Sequence, residues 1–220
     1  FAEILMKGIQ VYVNDAFGAA HRAHASIVAA AEQVALDRRY AGFLMERELT
    51  ALDKLKNQPE APFTVIMGGA KVSDKIGVIL NLLNYCNHMI FGGALAYTFL
   101  HAMGKKVGAS KIESDKLDVV ASILERAKAR NVSLHFPVDH VASRTFAEDA
   151  KAEAVNGPDI PEGLMGLDIG PQTIALYKSV LRSSKTVLWN GPMGVFEWAQ
   201  FSNGSLSIAR ELADLHAYTV

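Results

Sequence analysis

The chain has 220 residues, half of them hydrophobic, with 22 basic and 23 acidic side chains. This charge balance argues against a dedicated nucleic-acid or membrane-surface binder, because such proteins carry an excess of positive charge. The single cysteine, Cys86, excludes an intramolecular disulfide and suits a reducing compartment, so we expect a cytoplasmic protein. No apolar run approaches the roughly 20 residues of a membrane-spanning helix.

The first quarter of the chain predicts one short strand and two helices. Ile9 to Val13 is typical of a buried strand, and helices are predicted from about Ala20 to Val34 and from Phe43 to Lys56. The second helix has acids early and lysines late, as the helix dipole favours. The proline-punctuated stretch from Gln58 to Pro62 is the clearest candidate for a domain boundary.

Beyond this boundary, short apolar strands alternate with helices of about ten residues. Strands are predicted at 63–67, 88–91, 132–136 and 185–189, and helices at 74–83, 95–103, 114–130, 173–181 and 206–215. The stretch before Thr173, with Pro158 and Pro161, is predicted to be irregular. This alternation predicts the α/β class, with a parallel β-sheet flanked by helices.

Both ends of the sequence look interrupted. Phe1 to Lys7 is typical of a helix already under way, without a signal peptide, and Ala217 to Val220 has the composition of a strand. We therefore expect the chain to be part of a longer protein.

Three of the predicted strands end in glycine-rich turns, at 68–71, 92–94 and 190–194. Ligands of open α/β sheets bind at the carboxyl ends of the strands, where glycine lets the backbone approach an anion. One such turn is often only tight packing. Three turns in one sheet favour a shared phosphate or nucleotide site.

Lys71 and Lys75 lie four residues apart at the start of a predicted helix, so both ammonium groups can face one site. We interpret them as phosphate-binding groups, with two solvated surface lysines as the alternative. The chain has neither a G-x-G-x-x-G fingerprint nor a G-x-x-x-x-G-K-[ST] loop, which argues against a dehydrogenase and a P-loop hydrolase.

A second polar segment surrounds His21, Arg22 and His24. The two histidines have helical spacing, but no third metal ligand is evident nearby, so we predict no metal site. Arg22 facing an anionic ligand is the better interpretation. Asp139 and His140 are predicted to be structural.

Together these segments resemble phosphoglycerate kinases. The resemblance rests on five motifs in the family's order and spacing, which cover essentially the whole chain. They are VNDAFG with HRAH (13–24), GGAKVSDKI (68–76), FGGALAYTF (91–99), GLDIGP (166–171) and WNGPMGVFE (189–197).

The resemblance implies a two-domain kinase with Rossmann-like three-layer domains, the first largely absent here. Residues 1–41 would end the phosphoglycerate domain, residues 42–57 would form the interdomain helix, and residues 58–220 would form an incomplete nucleotide domain. The implied reaction transfers a phosphoryl group between 1,3-bisphosphoglycerate and ADP, giving 3-phosphoglycerate and ATP. Magnesium would be carried by the nucleotide, and the protein would be a monomer without nucleic-acid or membrane partners.

The resemblance also assigns roles to individual residues. Lys75 and Lys71 would act on the phosphoryl group in transit, and Arg22 with His21 would contact phosphoglycerate. The nucleotide would meet a larger set. That set is Gly69, Ala70, Lys71, Lys75, Gly92, Gly93, Phe146, Gly166, Leu167, Asn190, Pro192 and Glu197.

Two departures bear on activity. The family's N-terminal substrate motifs would precede residue 1, and its loop with the aspartate that meets the nucleotide's magnesium would follow Val220. We therefore expect the complete protein to be an active kinase and this chain alone to be inactive. A non-catalytic nucleotide-binding or interaction module with the same fold is the alternative.

Overall fold

The computed structural model describes residues 1–57 and 59–220, which fall into two compact units, Phe1–Gln58 and Pro59–Val220. Gln58, the first residue of the predicted boundary, lies outside the described residues. The assignment of domain roles to the two units stays a prediction. Among the described residues no helix is long and apolar enough to cross a bilayer.

The first unit is small and has little interior. Its elements are α1 (Ala2–Leu5), β1 (Tyr12–Asn14), α2 (Ala29–Glu32), β2 (Arg39–Ala41) and α3 (Phe43–Asn57). Strands β1 and β2 pair in parallel, with Tyr12 opposite Arg39. Asp15 joins this pair to α3, because its Oδ1 accepts a hydrogen bond from the Met45 amide at 2.9 Å.

The predicted helix from Ala20 to Val34 is wrong over most of its length. Only Ala29–Glu32 is α-helical, and the residues before it form turns. The Tyr12 hydroxyl donates to the carbonyl oxygens of Ser26 and Ile27, at 2.9 and 3.2 Å. Tertiary contacts of this kind override the helix propensity of the alanine-rich segment. The predicted strand at Ile9–Val13 also shifts, since β1 begins at Tyr12.

The second unit is built on a five-stranded parallel sheet. Its strands are β3 (Phe63–Met67), β4 (His88–Phe91), β5 (Ser133–His135), β9 (Thr186–Asn190) and β10 (Tyr218–Thr219). They lie in the order β10–β9–β3–β4–β5, all parallel to their neighbours. The helices are α4 (Ile76–Leu82), α5 (Leu95–Ala102), α6 (Leu117–Ala129), α7 (Pro171–Arg182) and α8 (Asn203–Asp214). The predicted α/β class is confirmed.

The core of this unit lies between the central strands and the helices α7 and α8. Ile66, Ile90 and Val187 from three neighbouring strands pack with Tyr177 and Ile208 from the two helices. All five residues of β3 are buried, as expected of a strand in the middle of a covered parallel sheet. The sheet is thus a rigid base for the turns at its carboxyl edge.

The predicted irregular stretch before Thr173 contains a second, antiparallel sheet. It consists of β6 (His140–Ser143), β7 (Glu153–Val155) and β8 (Met165–Ile169), in the order β7–β6–β8. The register of β6 and β8 shifts between Val141 and Ala142. Short strands with such an irregularity lack a clear alternating pattern, so the sequence did not reveal them.

Candidate nucleotide site

The three glycine-rich turns meet at the carboxyl edge of the parallel sheet. The Gly68 amide donates to the Asn190 carbonyl at 2.8 Å, and the Gly69 amide donates to the Pro192 carbonyl at 3.1 Å. The Gly93 amide in turn donates to the Met193 carbonyl at 2.8 Å. The turns after β3, β4 and β9 therefore form one hydrogen-bonded structure.

Several of these glycines are needed because the turns pack directly on each other. A Cβ atom on Gly68 would overlap the Pro192 backbone, and one on Gly191 would overlap the Gly68 carbonyl. Gly93, at φ +67°, faces the Gly69 backbone in the same way. Close packing thus accounts for these three positions. Gly69, at φ +114°, has no backbone within 4 Å of its Cβ position, so the space beside it is open.

A cleft of about 790 Å³ opens beside the turns. Its lining includes eight of the residues that the sequence assigned to the nucleotide, from five separate parts of the second unit. These are Gly69, Ala70, Gly93, Phe146, Gly166, Leu167, Pro192 and Glu197. The fold therefore brings most of the predicted set to one cavity. That these residues bind a nucleotide stays a prediction.

Lys75 and Asn190 lie beside this edge and are joined to each other. The Lys75 ammonium donates a hydrogen bond to the Asn190 side-chain oxygen, which links the start of α4 to the end of β9. Helix α4 begins at Ile76, two residues after the predicted start, and Lys75 is the residue at its N-cap position. Lys75 is half-buried and Lys71 is exposed, and neither is part of the cleft lining. That the two lysines act on one ligand stays a prediction.

Gly92 lies behind the cleft rather than on its surface. A Cβ atom there would meet the Met193 side chain at 2.6 Å, so this glycine allows β4 and the turn after β9 to pack closely. Gly92 is therefore not one of the residues that line the cleft, although the sequence assigned it to the nucleotide.

Asp168 supports the wall of the cleft from beneath. This buried carboxyl accepts hydrogen bonds from the Gly204 amide at 2.7 Å and from the Ile169 amide at 2.9 Å. Burial raises the pKa of Asp168 to about 7, because its effect exceeds that of the two hydrogen bonds, which lower the pKa. A Cβ atom on Gly194 would overlap the carboxyl, so Gly194 must be glycine for the lining to close over Asp168.

Aromatic side chains form one end of the cleft. Phe146 is 64% exposed. The centres of the Phe146 and Trp198 rings lie 4.6 Å apart, and the ring planes are inclined by 52°. With Met165, Leu167 and Val195 these rings make an apolar surface on which a flat heterocycle can stack. The carboxylate of Glu197 lies exposed in the same lining.

Arg22 and His21 belong to the first unit. Both are exposed, and the Arg22 Nε donates to the His21 Nε2 at 3.4 Å. The segment is not a helix, so the helical spacing of His21 and His24 has no structural counterpart. Within the described residues, no three histidine, cysteine or acidic side chains group closely enough to hold a metal ion.

Sequence reasoning missed several residues of the cleft, and three of them carry polar or large aromatic side chains: Tyr97, Lys111 and Trp198. Tyr97 and Trp198 lie in or next to quoted motifs, so their positions carried a signal. Lys111 had none, because only the folding of residues 109–111 onto β8 brings it to the cleft. The Ala109 amide donates to the Leu164 carbonyl at 2.8 Å, and the Gly166 amide donates to the Ser110 hydroxyl at 2.9 Å.

A parallel sheet with a cleft at its carboxyl edge, walled by glycine turns and aromatic rings, defines the class of α/β proteins typical of nucleotide binding. Comparison with known proteins then gives the family. The sequence profile of the phosphoglycerate kinase family matches residues 1–220. The chain belongs to this family.

Individual relatives agree with this assignment. The phosphoglycerate kinase of Clostridium tetani (strain Massachusetts / E88) is 47% identical over 220 residues, covering 100% of this chain and 54% of that protein. That of Lactobacillus delbrueckii subsp. lactis is 52% identical over 207 residues, 93% of this chain and 50% of that protein. The chain thus spans about half the length of the curated relatives that it matches.

Solved structures show the same relationship. Phosphoglycerate kinase from Coxiella burnetii superposes with a TM-score of 0.86 at 37% identity, covering 99% of this chain and 56% of the other. The enzyme from Pyrococcus horikoshii OT3 gives a TM-score of 0.77 at 28% identity, covering 97% of this chain and 53% of the other.

Proposed function

We propose that this chain carries the nucleotide-binding part of a phosphoglycerate kinase. In the complete protein, the phosphoryl group of 1,3-bisphosphoglycerate passes to ADP, which gives 3-phosphoglycerate and ATP. The observation that carries the proposal is the cleft at the sheet edge, lined by eight residues that the family resemblance assigns to the nucleotide. Family membership over the whole chain supports the reaction type.

The residues of the cleft suit binding and positioning rather than covalent chemistry. The aromatic end can hold the base, and the glycine turns offer backbone close to the phosphates. Lys75, held by Asn190, supplies a positive charge for the terminal phosphate oxygens. Phosphoryl transfer depends on such positioning and charge stabilisation. Magnesium enters as part of the substrate, the Mg-nucleotide.

Arg22 is proposed to contact the phosphate of phosphoglycerate, with His21 beside it. Arg22 is exposed, and its guanidinium can therefore make the bidentate contact that arginine forms with phosphate. Because the chain spans about half of its relatives' length, we propose that it binds nucleotide but does not turn over alone. A coupled assay with both substrates tests this, and measurable turnover would contradict it.

Calorimetric titration with ADP tests the nucleotide site. We expect the chain to bind ADP, with and without magnesium, and Lys75→Ala to weaken binding about tenfold or more, because a charge-assisted hydrogen bond to phosphate contributes roughly 1.5–3 kcal/mol. Lys128→Ala, an exposed lysine on α6, is the matched control and should leave the affinity unchanged. Absence of binding to a folded chain would contradict the proposal.

A further inference from the structure

Lys111 lines the cleft and follows a segment that is bonded to the start of β8. Two hydrogen bonds hold its segment along the start of β8: Ala109 N to Leu164 O at 2.8 Å, and Gly166 N to Ser110 Oγ at 2.9 Å. Lys111 shares the lining with Phe146 and Leu167, on which a base would stack. Lys75, in contrast, is held at the end of β9 by Asn190.

The Lys111 ammonium has no ion pair or hydrogen bond within the part of the chain that the structure describes. Lys111 is exposed and lines the cleft, so its ammonium group is free to contact a ligand there. An ammonium group has three donors and no acceptor. It therefore attracts ligand atoms that accept hydrogen bonds and disfavours ligand atoms that donate them.

A second polar side chain, Tyr97, lines the same cleft. Tyr97 is 3% exposed, and its hydroxyl lies so close to Gly166 that a Cβ atom there would overlap it. Burial, and secondarily the charge of Asp168, raise the pKa of this phenol, so it stays neutral. Because a neutral hydroxyl both donates and accepts, it accommodates either kind of ring edge, and the discrimination rests on Lys111.

The purine bases differ at the edge that these two groups can meet. Adenine carries an amino group at C6, which donates, whereas guanine and hypoxanthine carry a carbonyl oxygen there, which accepts. Lysine pairs with O6 and N7 of guanine for this reason. Both kinds of base offer N7, so the carbonyl at C6 is the distinguishing acceptor.

We propose that Lys111 is a specificity-determining residue, whose ammonium donates to the C6 carbonyl of a 6-oxopurine nucleotide and raises its affinity relative to the adenine nucleotide. The inference rests on the proposed nucleotide site and deepens it. It concerns the relative affinity of the two bases, and adenine nucleotide remains a ligand of the same cleft.

Titration with ADP and inosine diphosphate tests the inference, because the two ligands differ only at the C6 and N1 positions of the base. In Lys111→Met, which keeps the length of the side chain but removes its charge, we expect the affinity for inosine diphosphate relative to ADP to fall about fivefold. The control Lys105→Met, outside the cleft lining, should leave this ratio unchanged.

The outcomes separate the two proposals. An unchanged ratio in Lys111→Met, while both ligands still bind, would overturn the inference and leave the nucleotide site intact. An equal loss of affinity for both ligands would place Lys111 on an acceptor that both ligands share, such as N7 or a phosphate, and would also overturn it. Failure of the folded chain to bind either nucleotide would overturn the proposed function and the inference together.

Discussion

At the scale of single residues, the wall of the cleft depends on the buried carboxyl group of Asp168. Asp168 is 1% exposed and accepts hydrogen bonds from the Gly204 and Ile169 amides. Its position fixes Gly194 in the cleft wall, since any side chain there would overlap the carboxyl. The same burial raises its pKa to about 7, which links the stability of the second unit to pH.

We expect Asp168 to lower the stability of the second unit as pH rises. The folded pKa of about 7 lies above the ordinary value of 3.8, so the folded state binds more protons between these values. The free energy of unfolding should therefore fall through this window relative to Asp168→Asn, by up to about 1.4 kcal/mol per pH unit, and stay level above pH 7.

Urea unfolding of both proteins at a series of pH values measures this difference. Comparison with the variant is needed because His135 and His140 act in the opposite direction. Burial lowers the pKa of both histidines, so their contribution is lost as pH falls below about 6.5. A stability difference between the chain and Asp168→Asn that is independent of pH would contradict the assignment.

The sequence predicted those site residues that belong to compact motifs. The turns at Gly69 and Gly93 follow strands directly, so their place at the sheet edge follows from topology alone. Lys111 could not be predicted, because its position depends on hydrogen bonds from its segment to β8, some 55 residues along the chain.

At the scale of elements, the junction of β6 and α7 shows how a distant side chain can start a helix. Asp139 accepts from the Gln172 amide at 2.9 Å and from the Thr173 amide at 2.7 Å, within the first turn of α7. The Thr173 hydroxyl donates to the same carboxylate at 2.6 Å. These bonds satisfy amides that a helix N-terminus leaves free.

Removal of this cap should destabilise the second unit. We expect Asp139→Ala to lower the free energy of unfolding by about 1–3 kcal/mol, because it leaves buried amides without an acceptor. Chemical denaturation followed by circular dichroism measures the change, with the exposed Asp149→Ala as the control. Equal stability of the two variants would show that Asp139 does not support α7.

Strand prediction succeeded in the parallel sheet and failed in the antiparallel sheet. Strands β3, β4 and β9 have continuous hydrophobic character and agree closely with their predicted bounds. The sequence did not predict β6, β7 and β8, because their pairing with each other, rather than their own composition, makes them strands. The helix predicted from Ala20 failed for a related reason, since contacts with Tyr12 determine the local conformation.

At the scale of the whole molecule, the two units differ in how much apolar surface they bury. In the first unit the buried residues are few: Ala2, Ala30, Val34, Met45 and Leu55. Large apolar side chains such as Ile4, Leu36 and Phe43 are at least 80% exposed there. The second unit buries whole strands. Since burial of apolar area is the main stabilising term, the units should differ in local stability.

Hydrogen exchange of the free chain checks this difference. We expect amides of β1 and β2 to exchange well before those of β3 and β9, because the weakly buried pair opens at a lower free energy. Equal protection of the two sheets would mean that the first unit gains stability from contacts other than its own buried core.

The central claim is that the second unit presents a nucleotide cleft at the edge of its parallel sheet. Amide NMR shifts of the chain, recorded during titration with ADP, test it most directly. We predict that the largest shifts fall on Gly69, Gly93, Gly166 and Leu167, which line the cleft from the turns after β3 and β4 and from β8. Saturable shifts confined to other parts of the chain, or no shifts at all, would contradict the claim.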